Sequence, residues 1–241
     1  MHTIIPLMLG KMRNNRSNMT YFMGFEQEIW TAVVCWFVRA HGENILIDSG
    51  APPDIMKRYW YLGYEEIRTF EDALGSLGLT PDGIDLIIQT HLHFDHCGNT
   101  PKCKNARIMV QASELAFALN PHPLFKGSYP SKILEGLSYA EVEGNVEVVP
   151  GIRVIHVPGH SPGCQAVAIE TDQGLVVMSG FCSTRANFEP PEKVRKVWPV
   201  LTPGVHTNSL EAFDSAKRVK EMADVVIAIH DMDDASLPHI P

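Results

Sequence analysis

The sequence predicts an α+β fold in which two β-sheets pack face to face and helices cover their outer sides. Short segments of β-branched and apolar residues, separated by turn-forming residues, recur along the 241-residue chain. In each half, a series of these segments is followed by apolar residues at helical spacing. Strands followed by helices, twice over, are typical of two packed sheets. Because neither half contains a linker-like break, we predict one domain over residues 1–241.

The first half begins with a predicted hairpin. Residues 31–38 and 44–48 are β-branched and apolar, and a His-Gly-Glu segment separates them, which predicts two paired strands. Apolar residues at helical spacing predict a helix over residues 64–77, which ends before a glycine. Residues 84–89 predict a buried strand.

The remaining elements follow from the same patterns. Residues 106–110 predict a strand and residues 113–119 a short helix that Ser113 caps. Residues 120–140 are rich in Pro, Gly, Ser and aromatic residues, which indicates a loop or a helical insertion. The second half is predicted to contain strands over residues 146–149, 152–157, 165–170, 175–179 and 225–229, with a helix over about 208–222.

Composition and charge narrow the class of protein and of partner. A hydrophobic content of 45% with 20% charged residues is ordinary for a soluble globular protein. The net charge of −8 and the absence of a Lys/Arg run argue against a nucleic-acid partner. No apolar run approaches the roughly 20 residues that span a bilayer, and no signal peptide is indicated. Five cysteines without disulfide-framework spacing favour a reducing, cytoplasmic location.

One run of the sequence is dense in metal-binding residue types. His91, His93, Asp95 and His96 lie within six consecutive residues, directly after the predicted strand 84–89. Imidazole and carboxylate suit zinc, and also iron, cobalt or manganese. In a chain leaving a strand, the first two can face one side and the last two another, so one turn can serve two adjacent ions. The alternative, ordinary hydrogen-bonded histidines, is disfavoured because four ligand types stand so close together.

Two further histidines follow predicted strands. His160 lies in a turn that two prolines and two glycines make rigid, directly after the strand over residues 152–157. His230 directly follows the last predicted strand. Both are expected to project from strand ends, where sites on sheets are usually built.

With these motifs the chain resembles the metallo-β-lactamase superfamily. Residues 90–98 match its HxHxDH motif, residues 158–163 its second histidine turn, and His230 its last ligand. Within the superfamily the chain is most similar to the N-acyl-homoserine lactone lactonases, through HLHFDH and residues 148–151, 158–163, 169–171 and 187–189. The resemblance begins at residue 48 and covers most of the chain. It implies a four-layer αββα sandwich of two mixed sheets with outer helices.

The resemblance also implies a metal centre and a reaction. The implied ligand sets are His91, His93 and His160 for one ion, and Asp95, His96 and His230 for the other. Zinc is the expected cofactor, with one or two ions per chain. The implied reaction opens a lactone, or cleaves a related carboxylic ester, through a metal-bound hydroxide. Asp95 would orient the nucleophile and then protonate the leaving alkoxide. A small lactone or ester is therefore the expected partner.

The sequence departs from the lactonase pattern at two positions. Gly180 stands where a bridging aspartate is expected, and Ser183 stands where the lactonases carry a tyrosine. Loss of a bridging carboxylate would weaken the second ion more than the first. Cys182 is a candidate replacement ligand, with a buried thiol as the alternative. Candidates to replace the tyrosine are Tyr129 and Tyr139.

Other hypotheses remain open from the sequence. Asp48, at the end of the hairpin, would either support the metal loop by hydrogen bonding or cap a turn. A methionine and aromatic cluster near the start, including Met19, Tyr21 and Phe22, would either wall an apolar substrate pocket or belong to the core. The protein could also be a thioesterase or another hydrolase of the superfamily. Without the bridging aspartate, it could instead be a non-catalytic metal-containing binding protein.

Overall fold

A computed structural model describes residues 1–240 of the chain. The strands are β1 (Ile4–Asn15), β2 (Glu28–Ala40), β3 (Glu43–Ile47), β4 (Tyr64–Glu66), β5 (Leu86–Ile88), β6 (Arg107–Gln111), β7 (Tyr139–Val142), β8 (Val146–Val149), β9 (Ile152–His156), β10 (Gln165–Thr171), β11 (Gly174–Met178) and β12 (Val225–Ile227). The α-helices are α1 (Arg16–Met19), α2 (Pro53–Tyr59), α3 (Phe70–Gly75), α4 (Phe94–Cys97), α5 (Ala112–Leu119), α6 (Ser131–Leu134), α7 (Arg185–Phe188), α8 (Glu192–Arg195), α9 (Ser209–Met222) and α10 (Met232–Ala235). Short 3-10 helices span Pro81–Gly83, Thr100–Lys102 and Pro123–Phe125.

The strands form two mixed sheets. The first has the order β4-β1-β2-β3-β5-β6-β7, and the second has the order β12-β11-β10-β9-β8. In the first sheet β3, β5, β6 and β7 are parallel neighbours, whereas β1 and β2 pair antiparallel. In the second sheet β12 joins β11 in parallel and the other pairs are antiparallel. The predicted fold class is confirmed.

The core lies between the two sheets and on both of their outer faces. Alternate residues of β2 point to opposite faces, as in any strand. Trp36 and Val38 pack between the sheets in one cluster with Ile169 of β10. Phe37 packs on the other face in a cluster that includes Phe70 of α3. β2 is therefore buried on both sides, which explains its continuous apolar sequence.

The helix α9 covers the outer face of the second sheet. Its residues Ala216 and Val219 are buried in one cluster with Ala166 of β10 and Val177 of β11. Asn208 caps the helix, since its side-chain oxygen accepts the backbone N–H groups of the second and third helical residues at 3.1 and 3.3 Å. The predicted helix over about 208–222 is confirmed.

The structure differs from the sequence-based expectations at one helix start, at one helix cap and at one strand. The helix predicted over residues 64–77 is wrong at its start, because Tyr64–Glu66 pairs with β1 and the helix begins only after Thr69, whose hydroxyl accepts the Asp72 N–H at 3.0 Å. The expected cap Ser113 lies inside α5, which Gln111 precedes as N-cap. The long strand β1 was not predicted, since Pro and Gly interrupt its pattern.

Parallel pairing brings the carboxyl ends of several strands to one edge of each sheet. Ile47 of β3 pairs with Ile88 of β5, and Met178 of β11 pairs with Ile227 of β12. The segments that leave these strands therefore start next to one another, and they carry the predicted site residues. Within residues 1–240, no helix is both long and apolar enough to span a bilayer.

Candidate metal centre

The segment after β5 carries four of the predicted ligands. β5 ends at Ile88, and His91 and His93 follow before the next helix begins. His93 is the N-cap of α4, and Asp95 and His96 lie inside this short helix. The three histidines are buried, whereas the Asp95 side chain is 11% exposed and reaches the surface of a cavity.

Two histidines from the second sheet complete the site. His160 lies in the turn after β9, and His230 lies just beyond the end of β12. The structure brings the six predicted residues into two groups, in each of which the ligand atoms lie within 4.8 Å of one another. The groups are His91, His93 and His160, and Asp95, His96 and His230. They coincide with the two sets that the resemblance implied.

Backbone carbonyl groups hold the Nδ1 atom of three of these histidine rings. The contacts are His91 Nδ1 to the Gly180 carbonyl oxygen at 3.0 Å, His160 Nδ1 to the Val205 carbonyl oxygen at 2.7 Å, and His230 Nδ1 to the Ala32 carbonyl oxygen at 2.9 Å. A carbonyl oxygen can only accept, so Nδ1 donates in each contact. The Nε2 atom of each neutral ring therefore keeps its lone pair for a ligand.

The Nε2 atoms face one another across the site. Those of His91 and His160 are 3.2 Å apart, and those of His96 and His230 are 3.1 Å apart. Facing lone pairs repel unless a proton or a metal ion lies with them. The Nε2 atom of His93 is buried, and it has no hydrogen-bond partner within residues 1–240. These donors fit a divalent metal centre, because imidazole nitrogen and carboxylate oxygen are its usual ligands.

Asp48 supports this arrangement directly. It follows β3, and its Oδ1 accepts the backbone N–H of Thr90 at 2.8 Å. Its Oδ2 accepts the Thr90 hydroxyl and His96 Nδ1, both at 2.8 Å. The φ angle of Asp48 is 56°, in the left-handed region that residues other than glycine adopt rarely and often at functional sites. Of the two roles expected for Asp48, the structure therefore favours support of a candidate ligand.

Burial controls the charge of the histidines. Burial, followed by the neighbouring imidazoles, lowers the pKa of His91 and His93 well below 6.5. Burial also lowers the pKa of His160 to about 4. His96 differs: burial lowers its pKa, but nearby carboxylates, with Asp95 the largest contributor, raise it more, so the net shift is upward. Neutral rings are thus favoured in the three-histidine group, whereas a positive charge is favoured on His96.

The position of the expected bridging aspartate is occupied by a structurally required glycine. Gly180 has a φ of 73°, and a Cβ at this position would collide with the Gln165 carbonyl oxygen. The Gly180 carbonyl oxygen accepts His91 Nδ1 at 3.0 Å and the Cys164 thiol at 3.2 Å. Instead of a carboxylate, this segment therefore contributes a backbone oxygen that holds a candidate ligand.

We expect Gly180→Asp to destabilise the protein without restoring a bridging ligand. The left-handed backbone costs roughly 1–3 kcal/mol for a residue with a Cβ, and the collision adds a penalty of typically 1–3 kcal/mol. Urea unfolding should thus show a loss of about 2–6 kcal/mol, with no gain in bound zinc by elemental analysis. A stable variant that binds more zinc than the parent would show that the segment can rearrange.

Cys182 lies on the cavity wall but joins neither ligand group within residues 1–240. Its sulfur is 3.4 Å from the Met19 sulfur and 3.5 Å from the Asn18 carbonyl oxygen. Burial raises the pKa of this thiol well above 9.0, which disfavours the thiolate that a zinc ligand must be. The structure therefore favours the alternative of a buried thiol.

We expect Cys182→Ala to leave the zinc content of the protein unchanged. The matched comparison is His230→Ala, which should lose about one equivalent because it removes a candidate ligand. Elemental analysis of both variants, purified side by side with the parent, makes the measurement. A loss of zinc from Cys182→Ala equal to that from His230→Ala would reinstate the thiol as a ligand.

Ser183, at the position of the lactonase tyrosine, and the two tyrosines considered as its substitutes all lie away from the cavity that the candidate ligands line. Ser183 is buried, with its hydroxyl 2.7 Å from that of Ser179. The Tyr129 hydroxyl donates to Glu114 at 3.0 Å. The Tyr139 hydroxyl has no hydrogen-bond partner within residues 1–240. The residues that line the cavity, within the described chain, include none of these three side chains.

All six candidate ligands line a cavity of ≈ 100 Å³. The Asp95 carboxylate is 3.5 Å from His96 Nε2 and 3.9 Å from His230 Nε2. Asn18 donates its amide to the Asn14 side-chain oxygen at 2.8 Å, and both line the cavity. The remaining lining residues are Met12, Met19, Trp60, Phe94, Ser128, Cys182 and Val205. The sequence did not single out the asparagines, since they belong to no motif and only the folded chain places them here.

The chain is similar to known proteins in both sequence and structure. The family model described as Metallo-beta-lactamase superfamily matches residues 29–223. The N-acyl homoserine lactonase of Bacillus thuringiensis is 33% identical over 203 residues, which are 79% of this chain and 76% of that protein. A structure of a B. thuringiensis AiiA mutant with N-decanoyl-L-homoserine at its active site has a TM-score of 0.78 at 26% identity, covering 96% of this chain and 94% of the other. An N-acyl homoserine lactone hydrolase with N-hexanoyl-L-homoserine at its catalytic metal center has a TM-score of 0.76 at 28% identity, covering 96% and 93%.

Proposed function

Because this chain belongs to the metallo-β-lactamase superfamily, we propose that it hydrolyses a lactone, with N-acyl homoserine lactones as the substrate class. The prediction of a metal-dependent hydrolase is confirmed by its relatives, which are N-acyl homoserine lactonases. The observation that carries the proposal is that the two ligand groups, one of which includes Asp95, line the same cavity.

The six grouped residues would hold the metal ions. The first ion would be bound by His91, His93 and His160, and the second by Asp95, His96 and His230. A divalent ion held there would lower the pKa of water toward ~7 and polarise a carbonyl group. We propose zinc, because three-histidine sets and histidine-carboxylate sets suit it well.

Asp95 is the residue placed to move protons. Its carboxylate lines the cavity and lies near the imidazoles of His96 and His230, of which His96 has a raised pKa that favours positive charge. It would accept the proton of the attacking water and then donate it to the alkoxide that leaves when the ring opens. Asp95 thus ends the cycle in its starting state. The products are an alcohol and a carboxylic acid, which ionises to a carboxylate and releases one proton to solvent.

The cavity also provides groups that can orient a substrate. The amide of Asn18 is fixed by its hydrogen bond to Asn14, and its second N–H is available to a carbonyl oxygen. Met19 lines this cavity, while Tyr21 and Phe22 line an apolar cavity of ≈ 420 Å³. The Tyr21 ring packs on His206 with centroids 4.7 Å apart. We propose that the reacting ring occupies the smaller cavity and that the apolar chain runs toward the larger one.

We also propose a location for the protein, and one other function competes with lactone hydrolysis. A cytoplasmic location is supported by five cysteines that are all unpaired thiols. A thioesterase or another hydrolase of the same superfamily is the competing function, since fold alone does not specify the substrate.

The proposal is tested by measuring hydrolysis with the zinc-loaded protein. Substrates of matched chain length should be compared in a pH-stat: an N-hexanoyl homoserine lactone, an open-chain ester and a thioester. We expect kcat/KM to be highest for the lactone. A higher kcat/KM for the thioester would favour the competing function, and no turnover of any substrate by protein with bound zinc would indicate a non-catalytic binding protein.

A further inference from the structure

Glu114 is a buried carboxylate that takes no part in the proposed reaction. It lies in α5 and has 0% exposure. Burying a carboxylate is costly unless several donors satisfy it. The donors to Oε1 are the Leu92 backbone N–H and the Tyr129 hydroxyl, both at 3.0 Å; the donors to Oε2 are the Ser161 hydroxyl at 2.6 Å and the Gly163 backbone N–H at 3.2 Å.

The donors to Oε1 connect Glu114 to the HxHxDH segment. Leu92 lies between His91 and His93, so holding its N–H fixes the backbone that carries both histidines. Tyr129 adds a second contact, since its ring packs on the His93 ring with centroids 4.7 Å apart. One oxygen of Glu114 thus restrains two members of the three-histidine group.

The donors to Oε2 connect Glu114 to the third histidine. Ser161 directly follows His160, and Gly163 lies in the same turn. A Cβ at Gly163 would collide with the Glu114 backbone nitrogen, so the turn packs directly against α5. The two oxygens of one side chain therefore bridge the segments from the two sheets that supply the three-histidine group.

The other ligand group is supported by different residues. His96 is held by Asp48 at 2.8 Å, and His230 is held by the Ala32 carbonyl oxygen at 2.9 Å. None of the four donors to Glu114 belongs to these contacts. A change at Glu114 should therefore affect one group and spare the other.

We propose that Glu114 is a positioning residue that sets the spacing of His91, His93 and His160 for one metal ion, an inference that rests on the proposed metal centre. Glutamine has the same shape but only one acceptor oxygen. In Glu114→Gln, an NH₂ group must face either the Leu92 N–H or the Gly163 N–H, so one of the two segments is released. Loss of a group that orients ligands typically weakens metal binding roughly 10–100-fold.

The test measures zinc affinity one site at a time by competition with a chromophoric chelator. His230→Ala leaves the three-histidine group intact, and His160→Ala leaves the other group intact. Adding Glu114→Gln should weaken zinc binding roughly 10–100-fold in the His230→Ala protein and leave it unchanged in the His160→Ala protein. Equal affinities with and without Glu114→Gln in both proteins, or equal weakening in both, would overturn the positioning role.

Two further variants separate positioning from folding. Asp234→Asn makes the same chemical change at a buried carboxylate that contacts Arg185 and the Ala228 N–H, and it should lower stability without weakening the three-histidine site. Ser161→Ala removes one donor to Glu114 and should weaken that site less than Glu114→Gln does. This variant still tests the proposal if Glu114→Gln folds poorly. An unchanged affinity in Ser161→Ala would contradict the proposal. A parent protein that binds no zinc would instead overturn the proposed function.

Discussion

Asp95→Ala is expected to lower turnover of the lactone by roughly 10²–10⁴-fold, the usual contribution of a positioned acid and base. The side chain is the one carboxylate among the six candidate ligands, and it lines the cavity close to His96 and His230. Its removal takes away both a proton acceptor and an oxygen ligand. Steady-state kinetics in a pH-stat, with zinc content measured on the same samples, check the result.

The companion variant Asp95→Asn separates these two losses. The amide keeps an oxygen that can contact a metal ion but cannot carry the proton. We expect it to retain more zinc than Asp95→Ala and still lose most of its turnover. Asp172→Ala, an exposed aspartate in a turn, is the control and should behave like the parent. Parent-like turnover in Asp95→Ala would exclude the assigned role.

Removal of the metal is expected to lower the melting temperature by about 8–16 °C. An ion present at about 1,000 times its Kd stabilises the folded state by ~4 kcal/mol, and each kcal/mol corresponds to about 2–4 °C for a chain of this size. The physical reason is that the Nε2 lone pairs of His91 and His160, whose nitrogens are 3.2 Å apart, repel each other when no metal ion is bound. Thermal unfolding before and after dialysis against a chelator, with zinc then restored, makes the measurement.

The metal-free protein should also become sensitive to mild acid. The folded-state pKa of His160 is lowered to about 4, whereas the unfolded chain titrates near 6.5. Between these values the unfolded state binds more protons, so the stability present above pH 6.5 is lost as the pH falls toward 4. His91 and His93 act in the same direction. A melting temperature of the chelated protein that stays constant from pH 7 to 5 would contradict this expectation.

Much of the fold was predictable because its signals are local. The continuous apolar run of β2 and the helical spacing of apolar residues in α9 are visible in short windows of sequence. Predictions failed where long-range pairing overrode local pattern: Tyr64–Glu66 became a strand because β1 was available to pair with it. β1 itself was missed, because Pro6 and Gly10 interrupt its strand pattern. In the folded chain its pairing with β2 stabilises the strand despite these two residues.

The types and spacing of the candidate ligands were already present in the sequence, because metal chemistry restricts which side chains can serve and the HxHxDH motif places four of them together. Only the tertiary structure decided what holds them. The Gly180 carbonyl reaches His91 across 89 positions, Asp48 reaches His96 across 48, and Glu114 reaches Ser161 across 47. Such contacts depend on how strand ends from two sheets meet, and no local pattern of residues encodes that meeting.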